Sequence, residues 1–305
     1  NVILNRSNSP VFRIDDSSPT IMGCEIRDVV LPVRTLNGGT GKIAIQVFGG
    51  SPSILESTIR TGIYDLPIQP AGLNGRSAFG LYLTGEGQPL IKGNIIEQIT
   101  GEDGSTGNPG ADGTDGTSGK SPVLGNGGNG TSGTSGSPGQ LGGSGGDASG
   151  IYVDGMMAPV ISDNIIRQII GGKGGRGGVG GKGGYGGFGG DGSNGATGGW
   201  DGGRGGDNGN GGDGAIGGKG GQVVGIAIEA NLAEVPITIR QNIINHIEGG
   251  KGGNGGLPNS TGGGYRGSAG WGGNGGDSSL GSGGDGGDGG NGGNVGRGGA
   301  GRNGG

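Results

Sequence analysis

The side chains best placed for acid–base chemistry are four acids in three separate parts of the sequence. Asp15, Asp16, Asp154 and Glu229 each lie near the end of a short apolar segment. A polysaccharide lyase would need such acids clustered on one face, often with Ca²⁺ and a basic residue, and a glycosidase would need two facing carboxylates. Neighbouring segments carry an aromatic residue or a threonine at comparable positions. The sequence therefore predicts no catalytic residue and no enzyme, with polysaccharide cleavage kept as an alternative.

Histidine and cysteine, two common nucleophiles and metal ligands, occur once each in the chain. His246 follows an apolar segment, which favours a surface or turn position, and Cys24 occupies a repeat position typical of a small buried residue. Residues 283–291 place Asp and Asn between glycines in the manner of calcium-binding repeats. Those repeats are nonapeptides with an apolar anchor, whereas the period here is three residues. We therefore predict solvated Asp and Asn side chains, no metal and no cofactor.

Composition excludes several classes of protein. The chain has 305 residues, of which 94 are glycine, and its formal net charge is −5. An acidic balance argues against a nucleic-acid partner, because contact with phosphates needs clustered Lys and Arg. No apolar run is long enough to span a membrane as a helix. The sequence begins at Asn1 without a signal-like stretch, so we expect a processed or partial chain.

Glycine is distributed unevenly, which divides the chain into two alternating kinds of segment. Sixteen of the 94 glycines lie in 1–100, 148–170 and 222–248, and the other 78 lie in 101–147, 171–221 and 249–305. Collagen is excluded for the whole chain, because 13 prolines are too few and the glycine triplet is not continuous. The uneven distribution also argues against uniform disorder.

The glycine-poor segments contain an internal repeat. Four copies share a proline, an isoleucine two residues later and a second isoleucine at the end, and they cover 19–26, 52–59, 89–96 and 159–166. A fifth copy, 236–244, has one extra residue. A short piece with alternating apolar residues precedes each copy, which is typical of a strand. One copy cannot bury its own apolar face, but stacked copies can. The repeat predicts an all-β solenoid, a right-handed parallel β-helix in which 1–100, 148–170 and 222–248 form the coils.

Stacking would align equivalent residues of successive coils into ladders. A polar ladder at a corner is predicted from Asn1, Cys24, Ser57, Asn94, Asn164 and Asn242. An inner apolar ladder is predicted from Ile26, Ile59, Ile96, Ile166 and Ile244. Stacked amides can bond to one another and to the backbone. The alternative is that the asparagines are surface turn residues.

The Pro-x-Ile-x-x-Asn-x-Ile pattern at 89–96 and 159–166 resembles the repeats of pectate-lyase-like right-handed β-helix proteins. The resemblance covers about half of the chain. It implies the fold but not the function, because that fold carries lyases, hydrolases, adhesins and inert stalks.

The glycine-rich segments have a period of three residues and matched lengths. In the first segment, seven triplets from 101 to 119 are followed by a turn and by seven triplets from 127 to 145. Glycine at this period fits polyproline-II geometry, and the bare backbone face would let neighbouring arms approach and bond N–H to C=O. We predict that 101–147, 171–221 and 249–305 form hairpins in a laterally packed polyglycine-II bundle. A flexible linker is the alternative.

These triplets resemble the polyglycine-II bundles of snow-flea-type antifreeze proteins and of some phage fibre-tip adhesins. The Gly-Gly-x runs are also similar to those of mycobacterial glycine-rich surface proteins. These resemblances imply secretion or exposure at the cell surface. Ice binding is kept as a further alternative, resting on a short array of hydroxyl side chains at Thr114, Thr117, Thr131 and Thr134.

The features together favour an extracellular or cell-surface structural protein, a subunit of a fibre, sheath or surface filament. Self-association is expected head to tail, because the chain starts midway through a coil and ends on a return arm, which would expose strand edges at both ends. The alternative is an adhesin whose arm turns bind glycans on another surface. Its expected contact residues are the aromatic side chains near the turns, Trp200, Tyr265 and Trp271.

Overall fold

The computed structural model describes residues 3–4, 12–26, 34–36, 39–61, 70–196, 198–229, 236–257, 274–275, 277, 282–291, 294, 297 and 299–302. The regular secondary structure in these ranges consists of β-strands, without a helix. The all-β class predicted from the alternating apolar residues is therefore confirmed.

The strands form three long parallel sheets. Sheet 1 contains, in spatial order, β1 (Ile3–Leu4), β4 (Glu25–Ile26), β8 (Thr58–Arg60), β12 (Ile95–Thr100), β16 (Ile165–Ile170) and β19 (Ile243–Glu248). Sheet 2 contains β18 (Thr238–Arg240), β15 (Val160–Ser162), β11 (Leu90–Lys92), β7 (Ser53–Leu55) and β3 (Thr20–Met22). Sheet 3 contains β17 (Val223–Ile228), β13 (Ala148–Val153), β9 (Ser77–Thr84), β6 (Gly39–Phe48) and β2 (Phe12–Asp15). Two minor pairings join β10 (Glu86–Gly87) to β14 (Met156–Met157), and β5 (Arg34–Leu36) antiparallel to β6.

Each strand of the three long sheets pairs with its equivalent in the next repeat. In sheet 1, Ile96 pairs with Ile59 on one side and with Ile166 on the other. The same pairing of like positions holds in sheets 2 and 3. Stacking satisfies the backbone groups of each short strand and covers its apolar side chains. The stacked parallel sheets are compatible with a parallel β-helix.

The apolar side chains of the three sheets form one core. Its largest fully buried members are Ile26, Ile45, Ile54, Ile59, Leu81, Leu83, Ile91, Ile96, Ile99, Ile151, Met157 and Ile161. Burial of each such side chain contributes about 1.5–3 kcal/mol. Short strands that would be unstable alone are thereby held in place.

The inner isoleucine ladder is not buried along its whole length. Ile26, Ile59, Ile96 and Ile166 are fully buried, as expected. Ile244 was expected inside with them and keeps its register opposite Ile166, but 44% of it is exposed. The reason is that no described strand pairs with the outer edge of β19.

The glycine-rich segments form six extended arms that contain no strand or helix in their described residues. They are arm 1 (101–119), arm 2 (127–146), arm 3 (171–190), arm 4 (201–221), arm 5 (249–257) and arm 6 (the described part of 282–302). Arms 1, 3 and 5 form one row, in which every third N–H group bonds to the next arm. Gly104 donates to the Lys173 carbonyl at 2.7 Å, and Gly174 donates to the Lys251 carbonyl at 2.8 Å. Arms 2, 4 and 6 form a second row with the same pattern.

A second set of backbone bonds joins the two rows into what we call the slab. Gly184 of arm 3 donates to the Thr134 carbonyl of arm 2 at 2.9 Å, and Gly209 of arm 4 donates to the Gly184 carbonyl at 2.9 Å. The bonds repeat every three residues along the arms. Only glycine allows this approach, because a Cβ atom at Gly184 would overlap the Thr114 carbonyl.

The register of sheet 1 continues into the slab without a shift. Thr100 at the end of β12 pairs with Ile170 at the end of β16. One residue later Gly101 donates to the Ile170 carbonyl at 2.9 Å, and Gly104 then donates to the Lys173 carbonyl. Strands and arms therefore belong to one continuous hydrogen-bonded array.

Candidate assembly and binding surfaces

A ladder of asparagine amides runs along one corner of the sheets. Asn94 Nδ2 donates to Asn164 Oδ1 at 3.0 Å, and Asn164 Nδ2 donates to Asn242 Oδ1 at 2.9 Å. Each of these oxygens also accepts the backbone N–H of the preceding ladder residue, at 2.9 and 3.0 Å. Asn94 and Asn164 are fully buried. Each amide thus satisfies buried groups in two successive copies of the repeat, because it is both donor and acceptor.

Shorter side chains take over toward the other end of this ladder. The Ser57 N–H donates to Asn94 Oδ1 at 3.0 Å, and the Cys24 N–H donates to Ser57 Oγ at 3.2 Å. Cys24, expected to be a small buried residue, is half-buried, and its Sγ lies 3.6 Å from the Met22 carbonyl oxygen. Asn1, the first residue predicted for the ladder, lies outside the described residues.

An ion triad joins three neighbouring strands of sheet 1, β8, β12 and β16. Glu97 is 3% exposed, and its two carboxylate oxygens lie 2.6 Å from nitrogens of Arg60 and Arg167. Burial alone would raise the pKa of Glu97, but hydrogen bonds from Arg167 and Arg60 and their positive charges outweigh it. The pKa of the carboxyl is therefore held below its usual value.

The lowered pKa of Glu97 makes the stability of the fold depend on pH. Because the folded-state pKa lies below the unfolded value of about 4.3, the stabilisation is present above that value and is lost as pH falls through the folded pKa. We expect Glu97→Gln to lower the free energy of unfolding at pH 7 by about 2 kcal/mol. Between pH 5 and pH 3 the variant should lose less stability than the unsubstituted chain. Urea titrations at several pH values measure both. The exposed Glu86→Gln is the control, and equal pH dependence of the original chain and the Glu97 variant would contradict the assignment.

Two of the acids considered for catalysis bind tyrosines instead. Tyr82 and Tyr152 stack on sheet 3 with ring centroids 5.3 Å apart. The Tyr82 hydroxyl donates to Asp154 at 3.2 Å, and the Tyr152 hydroxyl donates to Glu229. Burial, followed by the nearby Asp154 carboxylate, raises the pKa of Tyr82 to about 12, and burial with Glu229 raises that of Tyr152. Both hydroxyls therefore stay protonated as donors.

The other residues considered for chemistry are not brought together. Asp15 forms an exposed ion pair with Arg13 at 2.8 Å, Asp16 has a positive φ of 42° beside the end of β2, and His246 is exposed on β19. Within the described ranges, no group of three or more His, Cys, Asp or Glu residues could hold a metal ion. No described helix is long and apolar enough to cross a membrane.

The outward Asp, Asn and Ser side chains of the arms have a role that the sequence analysis missed. Asp112 Oδ1 accepts the backbone N–H of Lys182 at 2.7 Å, and Asp201 Oδ1 accepts that of Asp285 at 2.9 Å. The same bond recurs along both rows. These side chains accept because the third N–H of each triplet points out of the slab and needs an acceptor. Asp285, Asp288 and Asn291, for which solvated side chains were predicted, are exposed. Aligning each arm with the next one in its row would have indicated these pairs.

The first edge of the slab, formed by arms 1 and 2, is closed by side chains. Thr114 and Thr134 lie with their hydroxyls 3.0 Å apart, as do Thr117 and Thr131. The hydroxyls of Thr134 and Thr131 also accept the N–H groups of Thr114 and Thr117, at 2.7 Å each. Inner arms carry glycine at the matching position, so these side chains occupy the space that a further arm would need. The ice-binding alternative rests on these few threonines and stays a prediction.

In the described residues, arm 6 presents exposed backbone groups at the last edge of the slab. Gly283, Gly286 and Gly289 are exposed, and their N–H groups have no acceptor in the described part of the chain. The equivalent N–H groups of arm 4 donate to arm 6, as Gly205 does to the Asp288 carbonyl at 2.8 Å. The two edges of the slab are therefore chemically different.

The turns at the far end of the arms expose apolar side chains. Val123 is 95% exposed and lies in the turn between arms 1 and 2, and Trp200, in the turn just before arm 4, is 43% exposed. The turns are neighbours, because Ser193 Oγ accepts the Gly125 N–H at 2.7 Å and the Ser193 carbonyl accepts the Trp200 N–H at 3.1 Å. Tyr265 and Trp271, the other expected glycan contacts, lie outside the described residues.

Comparison with known proteins gives little guidance. No protein-family model matches the chain, and no curated protein sequence matches it. Among solved structures, the chain is 22% identical to the nine-helix polyproline type II bundle antifreeze protein of the springtail Granisotoma rainieri, whose crystal waters match the ice lattice. That alignment covers 61% of this chain and 93% of the springtail chain, with a TM-score of 0.10. The likeness carries no argument about fold or function.

Proposed function

We propose that the chain is a right-handed parallel β-helix with a laterally packed polyglycine-II bundle. The stacking of equivalent strands supports the parallel β-helix. Its right-handedness follows the general rule for crossovers between parallel strands. The three-residue period of the arm bonds supports polyglycine II, since that helix has three residues per turn. The coils would comprise 1–100, 148–170 and 222–248, and the hairpins 101–147, 171–221 and 249–305.

We infer that its function is structural, as a subunit of an extracellular fibre, sheath or surface filament, with no catalytic role. The observation that carries this function is the continuous backbone bonding from sheet 1 into the slab. Arms whose described N–H groups bond so regularly to neighbouring arms are suited to stiffness rather than to conformational change. The resemblance of the triplets to glycine-rich surface proteins supports the extracellular location.

Head-to-tail stacking of coils is the proposed mode of assembly. The coil formed by β17, β18 and β19 has no described strand beyond it. Ile239, Ile244 and Ile247 belong to this last coil, and 44–46% of each residue is exposed. A second copy whose first coil stacked there would bury these side chains and pair the strand edges.

This assembly predicts that charge on the open coil keeps the protein monomeric. The double variant Ile244→Asp and Ile247→Asp should prevent association, because stacking would bury two unpaired carboxylates. The unsubstituted chain should form particles that grow with concentration in light scattering and appear as filaments in electron micrographs. Leu141→Asp, at an exposed apolar site on arm 2, is the control and should still assemble. A monomeric unsubstituted chain at high concentration would refute the filament.

An adhesin is the second candidate function. The observation that favours it is the pair of neighbouring turns that present Val123 and Trp200 at the far end of the slab. Exposed aromatic rings can stack on sugars. The arms would hold the Trp200 ring at the end of the slab that lies away from the coils. A glycan array probed with the chain and with Trp200→Ala separates this role from the structural one.

A further inference from the structure

The last edge of the slab has the features of a binding surface for another arm. Within the second row, arm 2 donates its first-glycine N–H groups to arm 4, and arm 4 donates its own to arm 6, as from Gly205 to Asp288. On arm 6 the same groups, at Gly283, Gly286 and Gly289, are exposed and have no described acceptor. These donors recur at three-residue intervals along a fixed backbone, which resembles an unpaired edge strand in a sheet.

The outward side chains of arm 6 carry the same kinds of oxygen acceptor as those of arm 4. Asp201 of arm 4 accepts the N–H of Asp285, and Asp207 accepts that of Asn291, at 2.9 and 2.7 Å. Asp285, Asp288 and Asn291 on arm 6 are exposed in their turn. Their carboxylate and amide oxygens match those that hold arm 6 on arm 4. Arm 6 therefore offers donors and acceptors in the order that a further arm needs.

The occupant of this edge needs glycine at the second position of its triplets. A Cβ atom at Gly287 would overlap the Gly203 carbonyl, and one at Gly290 would overlap the Gly206 carbonyl. An arm placed on arm 6 would meet the same restriction at its second position. A second copy cannot supply its first edge, because Thr131 there fills that position with a side chain.

We propose that arm 6 binds a Gly-Gly-x segment of a partner chain, aligned parallel to arm 6 and continuing the second row. Such a segment would accept the N–H groups of Gly286 and Gly289 on its x carbonyls and donate its x N–H groups to Asp288 and Asn291. The carboxylates of Asp285 and Asp288 favour Lys or Arg at x. This binding mode is the counterpart, for glycine arms, of strand addition to an exposed sheet edge. It does not depend on head-to-tail stacking of the coils.

The test uses the full chain carrying Ile244→Asp and Ile247→Asp, so that coil stacking does not interfere. The probe is a fluorescent peptide with the sequence of arm 3, residues 171–190, which is Gly-Gly-x throughout with Lys or Arg at three of its six x positions. The matched control peptide has alanine at the second position of each triplet and the same charge. Fluorescence anisotropy should show binding of the first peptide and at least tenfold weaker binding of the second.

A variant of arm 6 assigns the binding to this edge. Gly286→Pro with Gly289→Pro removes two donors that no described residue uses, and proline suits the extended arm geometry. The variant should keep its thermal unfolding midpoint and lose at least tenfold in affinity for the peptide. Equal binding of the two peptides, unchanged binding by the proline variant, or no binding at millimolar peptide would each overturn the proposal. A dimer of the test chain through arm 6, seen by light scattering and abolished by the proline variant, would overturn it in favour of a second copy as occupant.

Discussion

Gly184→Ala should destabilise the protein by about 3 kcal/mol or more, the largest effect expected from a single added carbon. Gly184 lies at the centre of the slab, where its N–H donates to Thr134 and its own carbonyl accepts from Gly209. A Cβ atom there would overlap the carbonyl of Thr114. Backbone cannot move aside as a side chain can, so the cost lies at the upper end of that for overpacked sites. Urea unfolding followed by circular dichroism measures the change.

Gly301→Ala is the matched control for this substitution. It also lies in an arm, but the nearest atom to an added Cβ would be the Gly253 carbonyl oxygen at 3.7 Å, an ordinary contact. Loss of glycine reduces the entropy of the unfolded chain, so we expect this variant to be unchanged or slightly more stable. If both variants unfolded at the same urea concentration as the original chain, close packing of the arms would be wrong.

Asn164→Ala should also cost about 3 kcal/mol. The substitution leaves the Asn94 N–H and the Ile91 carbonyl without their partners at 2.9 Å, in a place where water does not reach. Each buried polar group left unsatisfied costs about 1–3 kcal/mol. Thermal and urea unfolding of the variant measure the sum.

Asn242→Ala tests whether burial causes the loss at Asn164. Asn242 makes the same kind of bonds, to Asn164 and to the Ile161 carbonyl, but it is only partly buried at the open end of the stack. Water can replace its amide there, so we expect less than half of the loss seen at Asn164. Equal losses at the two sites would show that exposure to water does not matter to the ladder.

The fold was predictable from the sequence where one local pattern decides it. The isoleucine spacing around Ile96 indicates a strand, and five copies of that spacing indicate parallel pairing. The three-residue period of glycine likewise restricts the arms to geometries that allow close backbone approach. Both patterns describe many equivalent positions at once, so a single exception does not disturb the prediction.

The details of the surfaces were not predictable, because they depend on contacts between distant residues. Glu97 meets Arg60 and Arg167 across sequence separations of 37 and 70 residues, which are set by the lengths of the intervening insertions. The bond from Asp112 to Lys182 depends in the same way on the register between arms 1 and 3. Exposure of Ile244 follows from its place at the end of the stack, which its local sequence does not show.

Within each triplet, the residues that hold the arms together differ from the residue that faces outward, so the outer surface of the slab can vary in sequence. Glycines and backbone bonds fix the arms, so an outward side chain can be exchanged with little effect on the fold wherever it accepts no N–H, as at Tyr185 and Phe188 on arm 3. Outward positions recur about every 9 Å along an arm and about 5 Å from one arm to the next, if the arms keep the strand spacing. The slab is therefore a regular array of side-chain positions with fixed spacing. Substitutions can change the side chains on this array without changing the packing of the arms.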